Sequence, residues 1–418
     1  PHITNEIKDF VYRVGNETDA DVVITEIGGT IGDIESQPFL EAIRQIGLEL
    51  GKENCLFIHV TLVPYIKSSG EHKSKPTQHS VKELMSSGIF PDIIVMRSDE
   101  PIENSIKEKI ALFCNVKRDC VIENKTIPVL YQAPIMLAEE NLDSIVCREL
   151  KLDTQPSDMS EWCHMLENIE KSTRHVKIAI VGKYIQLHDA YLSVIEALKH
   201  AGWSMHLNVD IKWVDSELLN RSNAESLLGD VSGILVPGGF GNRGIEGKIE
   251  AARFSRQHSI PYFGICLGMQ IAVIEYARDV LGWKDANSSE FDAESTHPVI
   301  DLMPDQKGVV PKGGTMRLGS YPCSIVEGSL LEKVYNSTFT SERHRHRYEF
   351  NNIFRDDFEK SGMEVAGTSP DGRLVESVVI KNHPFFLGVQ YHPEFKSRPN
   401  RPHPCFKAFV EASAKYGK

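Results

Sequence analysis

Nowhere in the 418 residues is there an uninterrupted apolar run of about 18 residues, the length a membrane-spanning helix requires. The longest apolar region, Ile260 to Ile274, is broken by Pro261, Gly264, Gly268 and Gln270. A secretory signal peptide is missing as well, and the chain opens on Pro1 rather than Met, so the text before it reads as missing rather than processed. The eight cysteines contain no CxxC pair, which excludes a zinc ribbon and a dense disulfide framework and points to a reducing cytoplasm. Basic residues are in deficit, 46 Lys and Arg against 58 Asp and Glu for a net charge of −12. That balance argues against gripping nucleic acid. No GxxxxGK[ST] phosphate loop occurs either. The nearest lookalike, around Gly247-Lys248, has Asn242 in place of the first glycine and Ile249 in place of Ser or Thr.

What is present is an ordinary globular composition, 41% hydrophobic and 25% charged. At about 100–200 residues per domain, the length predicts two or three domains. Over residues 1–152, strand-like runs (Asp21–Ile27, Cys55–Val63, Asp92–Met96, Ile127–Tyr131) alternate with helical spacing (Pro38–Leu50, Gln78–Ser87 capped by Thr77, Asn104–Cys114, Leu142–Leu150). Residues 153–175 read as a linker with one helix, Glu161–Lys171. From Val176 a second alternation begins, and about 285 to 350 reads as irregular before strands return near Val375–Ile380 and Phe386–Gln390. The expected fold class is α/β: two doubly wound, mainly parallel-sheet domains joined by a helical linker.

Chemistry concentrates in residues 176–418. Gly264-Ile265-Cys266-Leu267-Gly268 lies where a strand meets a helix, the nucleophile-elbow arrangement with sulfur in place of oxygen. Small residues are needed at −2 and +2, and the helix N-terminus favours a thiolate. A buried structural cysteine is the alternative reading of those five residues alone. Val236-Pro237-Gly238-Gly239-Phe240-Gly241 follows the preceding strand and could expose N–H groups as an oxyanion hole, or be a plain turn. Gln390-Tyr391-His392-Pro393-Glu394 offers a base and its orienting carboxylate. The three in this order are hard to explain as structure only.

On PGGFG, GICLGMQ and QYHPEF, residues 176–418 resemble the class I glutamine amidotransferases. The resemblance implies Cys266 as nucleophile, His392 as base and Glu394 as its partner. It also implies glutamine contacts at Gly239, Leu267, Gly268, Met269, Gln270, Glu290 and Arg347.

In the first half, Glu26 ends a strand-like run before Gly28-Gly29, with Asp33 and Glu35 close by. Lys73 and Lys75 approach a helix N-terminus, where lysines and free N–H groups can cradle phosphates. A solvated charged surface is the alternative for both. PHITNEI, EIGGTIGDIES, SGEHKSKPTQHSVKEL, KIALFCNV and RHRHRYEFNN together resemble the CTP synthase family over essentially the whole chain. The resemblance implies an ATP-dependent ligase that aminates UTP to CTP with ammonia released from glutamine. UTP would be bound by Lys73, Ser74, Lys75, Pro76, Thr77, Gln78 and Lys109. Inhibitory CTP would lie at Asp33, Ile34 and Glu35, the ATP adenine near Ile127, and Mg²⁺ on Glu26. It further implies GTP as allosteric activator, a homotetramer, and no nucleic-acid or membrane partner. The family opens with a glycine-rich phosphate loop, so the chain reads as lacking roughly its first hundred residues. That leaves two other expectations open: a glutaminase-only or non-catalytic remnant, and an amidotransferase serving another acceptor.

Overall fold

A computed structural model describes residues 1–183, 185, 187–303 and 316–417. The chain divides into two compact α/β units, Pro1–Met159 and Ser160–Lys418.

The first unit is built on a parallel three-stranded sheet of β1 (Ile58–Leu62), β2 (Ile93–Ser98) and β3 (Val121–Lys125), in that spatial order. Helices α1 (His2–Thr18), α2 (Gln37–Leu50), α3 (Lys75–Ser86) and α4 (Asn104–Cys114) surround it with two shorter ones, Ala133–Glu139 and Leu142–Glu149. Residues alternate across β2. Ile94 and Met96 pack with Val81, Ile110 and Cys114 on one face, and Ile93 and Val95 pack with Ile122 and Ile145 on the other.

Several expectations change here. Cys55–Val63 reads as a strand buried on both faces, but β1 has a single neighbour in the sheet and Val60 is 62% exposed. Asp21–Ile27 forms no strand; it has no ladder partner among the described residues, and Ile24 is 92% exposed. Ile127–Tyr131 is no strand either. The strand ends at Lys125, Pro128 cannot donate to a ladder, and a 3₁₀ turn follows at Leu130–Gln132. Helix α3 begins three residues before the expected start, with Ser74 at its N-cap and Pro76 in the first turn. Helix α1 was not anticipated. It is tied to α2 by Lys8 Nζ and Tyr12 Oη, each 2.6 Å from Glu49.

The second unit carries a nine-stranded sheet. Its strands are β4 (Arg174–Gly182), β5 (Leu207–Asp215), β6 (Gly233–Val236), β7 (Tyr262–Ile265), β8 (Arg317–Ile325), β9 (Phe339–His346), β10 (Met363–Thr368), β11 (Val375–Ile380) and β12 (Phe386–Val389). The spatial order is β9-β8-β10-β11-β12-β7-β6-β4-β5. From β12 to β5 the ladders are parallel; from β9 to β12 they are antiparallel, so the sheet is mixed rather than mainly parallel. Helices α5 (Ile245–His258) and α6 (Leu267–Asp279) pack on one face with Val236, Tyr262 and Phe386. Helix α7 (Pro404–Tyr416) packs Phe406 and Phe409 with Phe263 on the other. The stretch expected to be irregular holds β8, β9 and a helix at Leu330–Tyr335. Its strands escape an apolar-alternation test because β9 buries Glu342, His344 and His346 rather than aliphatic residues.

Candidate active site

The central parallel strands β6, β7 and β12 end together, and the loops leaving them converge. Cys266 sits between β7 and α6 with φ 50° and ψ −101°, a conformation unusual for any residue but glycine. Its N–H donates to Val389 O at 2.7 Å, which ties the strained turn to β12. The flanking glycines are steric necessities. A Cβ on Gly264 would come within 2.5 Å of the Gly268 backbone, and one on Gly268 would collide with the Val236 carbonyl oxygen. The side chain of Cys266 is 4% exposed and sits at the N-terminus of α6.

His392 leaves β12 beside the sulfur. Its Nδ1–H donates to Glu394 Oε1 at 2.7 Å, and its buried Nε2 has no hydrogen-bond partner of ordinary geometry among the described residues. Burial alone would lower the imidazole, but the Cys266 sulfur and the Glu394 carboxylate outweigh it and raise His392 to about 10. Gly238 closes the third side: a Cβ there would stand 2.8 Å from His392 Cε1 and 3.6 Å from Cys266 Cβ.

Around the Gly238–Gly241 loop the other amidotransferase positions gather unevenly. Gly241 N–H donates to Glu290 Oε1 at 3.4 Å. Burial raises the Glu290 carboxyl, against the Gly241 N–H and the charges of Arg347 and Lys183. Gly239 faces Leu267 and Lys248. Met269 is wholly buried against Gly388 in β12. Gln270 spends its amide on Tyr348 O and Gln390 Oε1, at 3.0 and 3.1 Å, inside the fold. Leu267, Gly268, Gly239, Glu290 and Arg347 are thus near the loop, whereas Met269 and Gln270 serve the core.

Sequence reasoning missed Lys248, which belongs to the phosphate-loop lookalike. It is 1% exposed, with no ion-pair partner among the described residues. Burial first, then the charges of Lys183 and Arg243, push its ammonium down to about 8. A lowered lysine means that the unfolded chain binds more protons than the folded one between about pH 8 and the ordinary lysine range. Stability should therefore rise with pH across that window. Lys248→Met should flatten the rise and stabilise the second unit at pH 7 by about 3 kcal/mol, at 1.36 kcal/mol per pH unit. Urea midpoints for both proteins at pH 7 and 10 check this, and equal pH slopes would refute it.

In the first unit, Lys73, Ser74, Lys75, Pro76, Thr77 and Gln78 form the approach to and first turn of α3. Lys73 pairs with Glu71, Lys75 and Pro76 are exposed, and Gln78 Nε2 donates to Ser74 Oγ at 3.2 Å. Thr77 is buried; its hydroxyl donates to Leu62 O at 3.1 Å. Asp33 Oδ2 accepts from Thr30 N at 2.9 Å, while Ile34 and Glu35 are exposed. Ile31 packs with Leu40, Leu84 and Ile89, which joins the EIGGTIGDIES segment to α3. Lys109 lies on the exposed face of α4, and Ile127 is half-buried after β3. Glu26 is a lone exposed carboxylate, and the described residues contain no group of three His, Cys, Asp or Glu able to hold a metal. These residues do not build a magnesium site by themselves. No described helix is long and apolar enough to cross a membrane.

Comparison with known proteins agrees with this layout. The family model described as CTP synthase N-terminus matches residues 1–152, and that for class-I glutamine amidotransferase matches residues 186–412. The CTP synthase of Clostridium kluyveri is 60% identical over 413 residues, 99% of this chain and 77% of that protein. That of Geobacillus kaustophilus is 57% identical over 415 residues, 99% of this chain and 78% of the relative. The solved glutaminase domain of Trypanosoma brucei CTPS, with bound acivicin, is 44% identical with a TM-score of 0.55, covering 57% of this chain and 94% of that one. The aligned stretch spans 77–78% of these relatives; within it the family's N-terminal model matches residues 1–152, which corrects the expectation that the N-terminal region is lacking. With it go the readings as a remnant or as an amidotransferase for another acceptor: the chain belongs to the CTP synthase family.

Proposed function

We propose that the chain makes CTP from UTP, ATP and glutamine, and that Cys266, His392 and Glu394 free the ammonia. The observation that carries the residue assignment is the strained Cys266 elbow with the His392–Glu394 pair against it. The Cys266 thiolate attacks the side-chain amide carbon of glutamine, forming a C–S bond. Charge on the amide oxygen develops beside the glycine loop and the first N–H groups of α6. His392, held through Nδ1 by Glu394, gives its Nε2 proton to the nitrogen as the C–N bond breaks. Ammonia leaves and a glutamyl thioester remains. His392 then takes a proton from water, which attacks the thioester, releases glutamate and restores the sulfur. Glu290 and Arg347 suit the α-amino and α-carboxylate groups of glutamine.

In the synthetic reaction, ATP phosphorylates O4 of the uracil ring, and ammonia displaces phosphate at C4. Magnesium bound with the nucleotides would neutralise phosphate charge, as it is commonly held by one or two carboxylates plus substrate phosphates. Glu26 is the carboxylate proposed for it. Lys73, Ser74, Lys75, Pro76, Gln78 and Lys109 are proposed to face UTP, with free N–H groups at the start of α3 aiding its phosphates. Thr77 would act from behind by holding the turn to β1. Asp33, Ile34 and Glu35 are proposed for inhibitory CTP and Ile127 for ATP; GTP activation and a tetramer complete the family reading.

Lys73→Ala and Lys75→Ala should each raise the KM for UTP about tenfold or more, because hydrogen bonds to charged groups are worth about 1.5–3 kcal/mol. Basal glutamine hydrolysis should stay near normal. Steady-state CTP formation against UTP concentration tests this, and unchanged UTP kinetics in both variants would return the loop to a solvated surface.

A further inference from the structure

We propose that Gln390 is a further catalytic residue of glutamine hydrolysis: its side-chain amide donates a hydrogen bond to the Cys266 sulfur and favours the thiolate, while Gln270 fixes the amide's orientation. The proposal rests on the reading of Cys266 as nucleophile. Gln390 follows β12 directly, is fully buried, and has its own N–H fixed on Glu376 O at 2.8 Å. Its Nε2 lies 3.5 Å from Cys266 Sγ, within reach of a donor to sulfur.

An amide can be turned end for end, but the far end of the chain of bonds fixes the direction here. Tyr348 O is a backbone carbonyl and can only accept. The group 3.0 Å from it on Gln270 must therefore be the NH₂. That same NH₂ lies 3.1 Å from Gln390, so the Gln390 atom facing it must be the oxygen. The remaining Gln390 group, facing sulfur, is then the donor. Flipping Gln390 alone would set two NH₂ groups against each other. Flipping both would set the Gln270 oxygen against the Tyr348 carbonyl. One carbonyl thus aims an N–H at the reacting atom, where it stabilises a thiolate more than a neutral thiol. Among the described titratable groups, His392, with Glu394 behind it, also faces this sulfur. Gln390 approaches through a separate bond and does not lose its donor when His392 gives up its proton.

The test follows iodoacetamide labelling of the Cys266 peptide by mass spectrometry across pH, in the unaltered protein, Gln390→Leu and Gln390→Glu, with Cys266→Ala as blank. In Gln390→Leu the rate profile should move to higher pH by about one unit, leaving roughly tenfold slower labelling at neutral pH. Gln390→Glu should move further in the same direction, because it adds a like charge. Gln270→Met, which unlocks the amide without touching sulfur, should give a smaller shift in that direction. The kcat for glutamine should fall with little change in KM. A misfolded Gln390→Leu would leave the shape-preserving Gln390→Glu and the remote Gln270→Met to decide. An unmoved labelling profile in the folded variants overturns the role of Gln390. If Cys266→Ala itself still hydrolyses glutamine, the nucleophile assignment fails instead, whatever the profiles show.

Discussion

Cys266→Ala is expected to abolish CTP formation from glutamine while leaving formation from ammonium salts intact. The split follows from where the sulfur acts. In the proposed mechanism Cys266 touches glutamine and nothing else, so its loss removes ammonia release without touching UTP or ATP. The φ of 50° at this position supports the assignment, because a non-glycine residue held there needs a reason, and presenting a side chain at the tip of an elbow is one. The variant should fold, since alanine fits the same space and the elbow is secured by its own backbone bond to Val389 O. Loss of a nucleophile of this kind lowers kcat by roughly 10⁴-fold or more. Glutaminase within tenfold of the unaltered rate would mean that another group attacks the amide. Equal loss of the ammonium-dependent reaction would mean a folding defect instead.

The elbow was legible because its requirements are local. Glycines two residues either side of Cys266, a strand before and a helix after are sterically forced, and the distances from Gly264 and Gly268 show why. His392 and Glu394 were legible for a similar reason, since two residues of separation in a turn suffice to bring Nδ1 to a carboxylate. Helix α4 matched its expected span of Asn104–Cys114 because its periodicity and ends are local signals.

What stayed hidden depends on partners far along the chain. Apart from the glutamine contact implied at Arg347, a solvated charged surface is the alternative reading of the Arg343–Arg347 run, yet β9 turns His344 and His346 inward. There His344 Nδ1 lies 3.0 Å from His346 Nε2, and Arg317 pairs with Glu376 at 2.7 Å beside them. Burial pushes His344 down to about 2 and His346 to about 3, so both are neutral members of the fold. Burial also raises Glu376 to about 7, against the pull of Arg317. Nothing in a period-two pattern of arginine and histidine announces which face is wet. Lys248 and Gln390 were hidden the same way. Each is an ordinary polar residue until Gly239 or Cys266 is placed against it. In the first half, the apolar run at Asp21–Ile27 misled because hydrophobic content alone does not supply a neighbouring strand.

Two glycines of the active site should respond oppositely to alanine, and the contrast tests the elbow geometry. At Gly268 the added Cβ would strike the Val236 carbonyl oxygen, with the Val236 carbonyl carbon only 3.0 Å away. Both belong to β6 at the centre of the sheet, and a backbone atom there cannot rotate aside. Helix α6 would have to lift from the sheet. Overpacking against backbone is expected to remove about 3 kcal/mol or more from the second unit. That corresponds to a fall in Tm of roughly 10 °C for a domain of this size. At Gly238 the obstacle is a side chain: a Cβ would stand 2.8 Å from His392 Cε1. The imidazole can swing away, so stability should change little, but swinging takes Nε2 off the line to sulfur. A misplaced base should slow glutamine hydrolysis about 100-fold, and ammonium-dependent CTP formation should persist. Thermal melts with paired glutamine and ammonium assays on Gly238→Ala and Gly268→Ala separate the two effects. A normal melt for Gly268→Ala would refute the close approach of α6 to β6. Full glutaminase in Gly238→Ala would show that His392 does not need the position it occupies beside Cys266.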